Sequence, residues 1–523
     1  MKKSFKTTLV SALAIFALAC SIFIPAGMAE STDTASAATA AGLGAAVDTS
    51  VSGRDASGEY DASEAVTLSP EDDLNITEAG VYILSGRYEN RMIVIEVGEE
   101  DKVQLVLENA ELLNGEGPAI YVRSADKVFV TAAEGTVNTI SDGSDYSLAD
   151  GDTTLDAAVF SREDLTVNGA GKLTINGNYK HAVVSKDDLV VTAKDLTVNA
   201  QNVGLNGKDA VKLSEASVSI TAGSDGIRAD NGADAERGYV SVTDSAVTIV
   251  SGRDGIQAET VFRSENAVIT VSAGSSGTVS RDSTESYKGI KAGVSIFIDG
   301  GRYQIDSLDD AVHTDGSLYI GSGEFTIQSQ DDGIHANEKA EISGGALNIT
   351  AYEGIEASYV LISGGDLTIQ ASDDGINAAW KSSGITPTVE ITGGTVSITM
   401  GAGDTDGIDS NGNIIISGGT ISVNGSSAFD YEGSASFTGG TVYVNGQQVS
   451  SLPNQMMGGG RGGFGGGRGG MGSFGDSTAG QGAFSGNPDE QGSFGEAPGG
   501  REGFHGGRGG MGGFGGDPDG GHP

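Results

Sequence analysis

From about Val66 to Leu452 the chain consists of short apolar runs separated by polar punctuation. Runs such as VQLVLENA, LTVNGAGKLTING and TVSITM largely alternate apolar with polar residues, and each is bounded by Gly, Asn, Asp or Ser. Alternation at period two between turn residues predicts short strands with one buried face, and no helical period of convincing length appears.

The runs repeat. An aliphatic residue follows an acid–glycine step, or its equivalent, at Val183, Leu205, Ile227, Ile256, Ile290, Val312, Ile334, Ile355, Ile376 and Ile408, at intervals of 22, 22, 29, 34, 22, 22, 21, 21 and 32. A second ladder follows at Ile305, Ile327, Ile349, Ile369, Ile398, Val423 and Val444. A third feature is a glycine-pair turn after Ile342, Ile362, Ile391, Ile416 and Phe437, where glycine supplies the positive φ of a tight corner. One such repeat buries no core alone, but stacked repeats do. The pattern predicts an all-β parallel β-helix, a solenoid with ~21–22 residues per coil and coils ~4.8 Å apart. A leucine-rich horseshoe lacks its Leu-x-x-Leu-x-Leu frame here, and propeller blades need repeats of about forty residues. The long intervals mark insertions at 230–238, 273–287 and 379–388, and solenoids often gather such insertions on a binding face.

Stacking gives the acid–glycine step chemical meaning. Asp309 and Asp310 should lie beside Asp331 and Asp332, followed by Glu353, by Asp373 and Asp374, and by Asp404 and Asp406, with Asp225 and Asp254 upstream. Carboxylates ~4.8 Å apart repel unless something lies between them, and that spacing is twice a Ca²⁺–oxygen distance of ~2.4 Å. The ladder is therefore a candidate site for several calcium ions, against the plainer reading of a solvated acidic edge that blocks pairing with other proteins. Zinc fits less well, since sulfur is absent and histidines are few. Lys291, His313 and His335 form a polar stripe beside the ladder, and Lys288 takes the acidic position in its own coil. Trp380 lies in the 379–388 insertion, and Tyr287 and Tyr352 flank glycine steps. These are candidates for reading sugar hydroxyls, carboxylates and ring faces, or else parts of a solvent-facing stripe.

Charge and flanking segments narrow the setting. The 523-residue chain carries a formal net charge of −41. That opposes bare nucleic acid or an anionic membrane as partner, and an acidic polysaccharide too unless divalent cations intervene. Lys2, Lys3 and Lys6 precede an apolar run from Leu9 to Ile24, and GMA ends at Ala29. This is the pattern of a secretory signal peptide over 1–29, giving a secreted or cell-surface protein with no membrane span once processed. A lipoprotein cut at Cys20 is the alternative, opposed by Ala17 and by the apolar SIFIPAG after the cysteine. Cys20 is the only cysteine, so cleavage at Ala29 leaves no disulfide, and stability must come from burial, hydrogen bonds or metal. Residues 30–65, rich in Ala, Ser, Thr, Gly and Asp, predict a flexible linker ahead of a domain over 66–452. The segment 457–523 is nearly half glycine, with Phe464, Phe474, Phe484, Phe494, Phe504 and Phe514 every ten residues. It should be a disordered tail suited to self-association or wall contact. Its Arg-Gly-Gly boxes resemble RNA-binding ones, but seven acids offset four arginines.

Taken in order, EAGVYILSG (Glu78–Gly86), GPAI (Gly117–Ile120), TVNTISDG (Thr136–Gly143), YKGIKAG (Tyr287–Gly293) and the DDGIHA and DDGINA repeats resemble a secreted carbohydrate-binding family, over roughly residues 66–450. That family consists of calcium-containing, right-handed parallel β-helices similar in fold to calcium-dependent pectate lyases. The resemblance implies bound Ca²⁺ and a polysaccharide partner of the plant cell wall, such as polygalacturonate or cellulose. Two other functions remain open. One is a pectate-type lyase acting by β-elimination, with Lys288 or Lys291 as base beside Asp309 and Asp310. The other is a surface or coat protein in which calcium only rivets the coils.

Overall fold

The computed structural model describes residues 47–454 apart from 73, 148–153, 275–283 and 404. The expected signal peptide, the linker up to residue 46, residues 275–283 of one insertion, Asp404 and the expected tail over 457–523 lie outside the described residues. The described residues belong to one compact unit, which ends at Met457.

Among the described residues the fold is all-β, with one five-residue helix, Gly53–Ser57, and 43 strands in one extended sheet. Strands pair in parallel with the equivalent strand one repeat further on, so three ladders run through the unit. In the first, Val183 lies beside Leu205, then Ile227, Ile256, Ile290, Val312, Ile334, Ile355, Ile376, Ile408 and Phe429. These residues have no exposed surface. The second expected ladder, Ile305 through Val444, is likewise in register at every step. The third passes through strands such as Asp164–Gly169, Ala210–Ser214, Ser295–Asp299 and Asn413–Ile416. Most apolar residues of the strands point to one continuous core, so each layer covers its neighbour's aliphatic face, while Tyr121, Phe160 and Val184, and Ala210, Tyr239 and Val261, belong to two smaller buried clusters outside it.

Glycine sets where the layers turn. The second glycine of each expected corner, Gly345, Gly365, Gly394, Gly419 and Gly440, has φ between 80° and 92°. The glycine of the acid–glycine step has a different reason. A Cβ on Gly354 would lie 2.3 Å from the Gly375 carbonyl oxygen and 2.4 Å from Cγ2 of Ile369. Close approach of neighbouring layers, rather than left-handed backbone, excludes a side chain there. Ala311 occupies the same position in its layer and is fully buried, so a methyl is accommodated where the surroundings give way.

Residues 47–65 differ from the flexible linker expected of them. Ser52 caps the short helix and, with Asp55, forms a reciprocal capping box. The Asp55 carboxylate then enters the sheet surface, where it takes hydrogen bonds from Thr166 Oγ1 (2.5 Å) and pairs with Lys127 Nζ (2.9 Å). Its carbonyl accepts from Thr192 and Asn168. Tyr60 reaches Glu108, and Tyr239 donates to the Asp48 carbonyl. The segment is a strap across successive layers, and its composition hid this because polar residues hold it. At the other end of the unit, Gln447–Val449 turns back antiparallel onto Thr441–Val444.

Gly354→Val should cost about 1–3 kcal/mol of stability, measured by chemical denaturation, because the clash is with backbone of the next layer. Gly354→Ala should cost less, as Ala311 indicates. Equal stability of Gly354→Val and wild type would contradict the close-approach account.

Candidate functional site

Two side-chain columns flank the first core ladder. One carries the residue two positions before the buried aliphatic: Asp225, Asp254, Lys288, Asp310, Asp332, Glu353, Asp374 and Asp406. The other carries the residue just after it: Arg228, Gln257, Lys291, His313, His335, Glu356, Asn377, Asp409 and Asp430. The columns touch within a layer, as Asp332 and His335 do.

The acidic column has a backbone task. Asp254 Oδ1 accepts the amide N–H of Lys288 (2.7 Å), Asp310 Oδ1 that of Asp332 (3.1 Å), and Asp374 Oδ1 that of Asp406 (3.1 Å). Each carboxylate thus satisfies a donor one layer on, in a region where an unmet N–H is costly. Recurrence at one register therefore does not by itself require a bridging ion. Asp225, Asp254, Asp310 and Asp332 are buried rather than a solvated edge.

The counter-charges divide this surface in two. In the layers from Lys288 to His335 they come from the protein. Lys288 Nζ lies 2.9 Å from Asp309 and 2.8 Å from Asp310. Burial opposes its charge, but the Asp310 and Asp309 carboxylates outweigh that and raise its pKa. His313 Nδ1 contacts Asp310 at 2.7 Å, and His335 Nδ1 contacts Asp332 at 2.6 Å and Glu356 at 3.0 Å. Burial likewise works against the charged His335 ring, and the Asp332 and Glu356 carboxylates push it up to about 10. Lys381, from the 379–388 insertion, closes this set at 2.7 Å from Glu356. Upstream, Arg228 pairs with Asp225 at 3.3 Å.

In the later layers carboxylates accumulate without such partners. Glu353, Asp373 and Asp374 bring oxygens within 4.8 Å of one another. Among the described residues, Glu353, Asp373, Asp374 and Asp409 have no basic side chain at ion-pair distance. Burial pushes Glu353 up to about 8, with Glu356 and Asp332 adding repulsion. It also raises Asp374 to about 6, with Asp373 and Asp406 adding, and Asp409 to about 7, with Asp374 and Asp430 adding. Asn377, 9% exposed, donates its amide to Glu353 (3.0 Å) and Glu356 (3.4 Å), while its Oδ1 has no hydrogen-bond partner. Asp430 Oδ1 is similarly unpartnered. The donors are all hard oxygens, the kind that calcium takes. The fit to a hard cation is therefore better here than around Asp309 and Asp331, where Lys288 already stands.

The other sequence candidates separate. Trp380 (62% exposed) and Tyr352 (46% exposed) are open to solvent, and Tyr352 hydrogen-bonds Asp373. Tyr287 is buried, so it offers no ring to a sugar. Lys291 takes its expected place next to His313. Glu356, Asn377, Asp409 and Lys381 were missed. The first three follow the buried aliphatic directly, a position read only where it held Lys or His, and Lys381 adjoins the Trp380 that drew attention.

Comparison with known proteins adds a functional frame. The sequence profile of a family described as "Carbohydrate-binding domain-containing protein" matches residues 70–333 and 316–448. A protein of that description from Acetivibrio thermocellus is 32% identical over 131 residues, which are 25% of this chain and 46% of the relative, so the chain spans less than half of that protein's length. Among solved structures, a polysaccharide lyase-like protein from C. thermocellum, determined as a gadolinium derivative, is similar at 31% identity. The match covers 43% of this chain and 86% of that one with a TM-score of 0.40.

Lys288→Met leaves Asp309 and Asp310 facing each other without their ammonium. It should destabilise by about 3–5 kcal/mol, seen as a lowered midpoint in denaturant. An unchanged midpoint would mean that this pair is compensated elsewhere.

Proposed function

Because the chain belongs to the carbohydrate-binding domain-containing family, we propose that it is an extracellular, calcium-dependent polysaccharide-binding protein whose three ladders wind as a right-handed parallel β-helix. The observation that carries the calcium reading is the uncompensated, partly buried carboxylate group Glu353, Asp373 and Asp374, next to Asp409 and the unpartnered Asn377 Oδ1. Those residues would hold the ion. Calcium there supplies positive charge that lets a chain with net charge −41 accept an anionic uronan such as polygalacturonate. Exposed Trp380 and Tyr352 offer apolar faces for sugar rings beside it. The sequence GMA at Ala29 supports export.

The lyase alternative loses Lys288 as a base, which leaves Lys291 as its candidate. Lys288 holds its proton more tightly than a free lysine, between two carboxylates, which is the opposite of what a base needs.

Affinity electrophoresis of the full chain through polygalacturonate tests the proposal. Retardation with calcium, and free migration with chelator, is the expected pair. Glu353→Gln combined with Asp374→Asn should abolish the retardation, and Trp380→Ala should weaken binding about 2- to 10-fold. Retardation that survives chelation would remove calcium from the mechanism. An accumulating absorbance from unsaturated sugar ends would replace binding by lyase chemistry.

A pH dependence follows as well. Glu353, Asp374 and Asp409 have folded pKa values above the ordinary ~4 of a carboxylate, so the folded state keeps protons that the unfolded chain releases. Their contribution to stability is present at low pH and is lost as pH rises from about 4 to about 8. Calcium needs the ionised groups, so it should raise Tm more at pH 8 than at pH 5 in thermal scans. An equal rise at both would place the ion elsewhere.

A further inference from the structure

The histidine layers hold a second constellation, chemically unlike the all-oxygen group. His313 and His335 stack as ladder neighbours, ring centroids 4.7 Å apart and planes 19° apart. Both turn Nδ1 toward buried carboxylates, His313 toward Asp310 and His335 toward Asp332 and Glu356. Both have their outer nitrogen held. His313 Nε2 meets Asp315 at 3.3 Å, His335 Nε2 meets Asn337 at 3.2 Å, and Asn337 Nδ2 donates back to Asp315 at 3.3 Å. Ligand atoms of Asp310, His313 and His335 lie within 4.8 Å of one another, as do those of Asp332, His335 and Glu356.

We propose that His313 and His335, with Asp310 and Asp332, form a site for a first-row transition-metal ion such as Zn²⁺, separate from the oxygen-only group at Glu353 and Asp374. Two features support it. Imidazole nitrogen with carboxylate is a donor set that selects such ions over calcium. The outer shell is already built, because a metal-bound imidazole characteristically has its other nitrogen fixed by a carboxylate or amide, the role Asp315 and Asn337 hold here. Lys288 keeps Asp309 (2.9 Å) and Lys381 keeps Glu356 (2.7 Å) as partners when the ion displaces Lys288 from Asp310. Metal–nitrogen bonds of ~2.0–2.1 Å set tetrahedral donor atoms roughly 3.3 Å apart, so the His313–Asp310 (2.7 Å) and His335–Asp332 (2.6 Å) contacts open to admit the ion while the wider pairs close.

The inference does not depend on carbohydrate binding. The test uses the tag-free full chain, stripped by chelator and titrated with Co²⁺ and then Zn²⁺ at neutral pH in weak buffer. One equivalent of Co²⁺ should develop visible d–d absorption, bleached by Zn²⁺, with release of protons on uptake. His335→Gln and His313→Gln should each lose that absorption, whereas Glu353→Gln should keep it. Asp315→Asn should weaken uptake about 10- to 100-fold with the spectrum retained. X-ray absorption of the zinc-loaded wild type, which does not rely on variant folding, should show imidazole scattering. An all-oxygen shell, absence of the cobalt band, or unchanged uptake in the double histidine variant would overturn the proposal and leave the rings as counter-charges alone.

Discussion

Parallel in-register pairing puts every side chain beside its own equivalent one layer away, at strand spacing. For aliphatic residues this repetition is favourable, and the unbroken columns from Val183 to Phe429 and from Ile305 to Val444 follow. For charged residues the same repetition is costly, because like charges then recur at the shortest distance the backbone allows. Everything distinctive about the polar surface is a response to that constraint. The aspartates answer it in part by accepting amide N–H groups from the next layer, and in part by alternating with Lys288, His313, His335 and Lys381.

That response is uneven along the stack. In the layers around Asp310 and Asp332 the protein supplies its own cations, although burial and the nearby Asp310 and Glu356 carboxylates still push Asp332 up to about 7. In the layers around Glu353, Asp374 and Asp409 it does not, and the carboxylates there retain protons well above their usual range. The boundary falls at Glu356, which faces His335 on one side and Asn377 on the other. A single column of residues thus changes from basic to acidic while its own register is kept from Arg228 to Asp430.

Much of this was legible in the sequence. The two aliphatic ladders, the glycine-pair corners and the stacking of the acid–glycine steps could be read because they repeat, and repetition is what in-register pairing enforces. Three things could not be read. The strap over residues 47–65 is secured by Asp55, Thr166 and Lys127, contacts between distant positions with no apolar signature. The burial of Tyr287 depends on its own layer and not on the period. The split between self-neutralised and uncompensated carboxylates depends on which residue follows each buried aliphatic, and on Lys381 arriving from an insertion, so spacing alone made all the acids look equivalent.

The final hairpin has a meaning beyond its own few bonds. A stack of parallel strands ends in an open edge of amide and carbonyl groups, able in principle to accept another strand in the same manner and so to grow by templated addition. By folding Gln447–Val449 back in the opposite direction over Thr441–Val444, the chain covers part of that terminal edge with a strand of reversed polarity, one that does not continue the parallel register. For a protein built from near-identical layers, this is a local barrier to fibre formation through the last rung among the described residues.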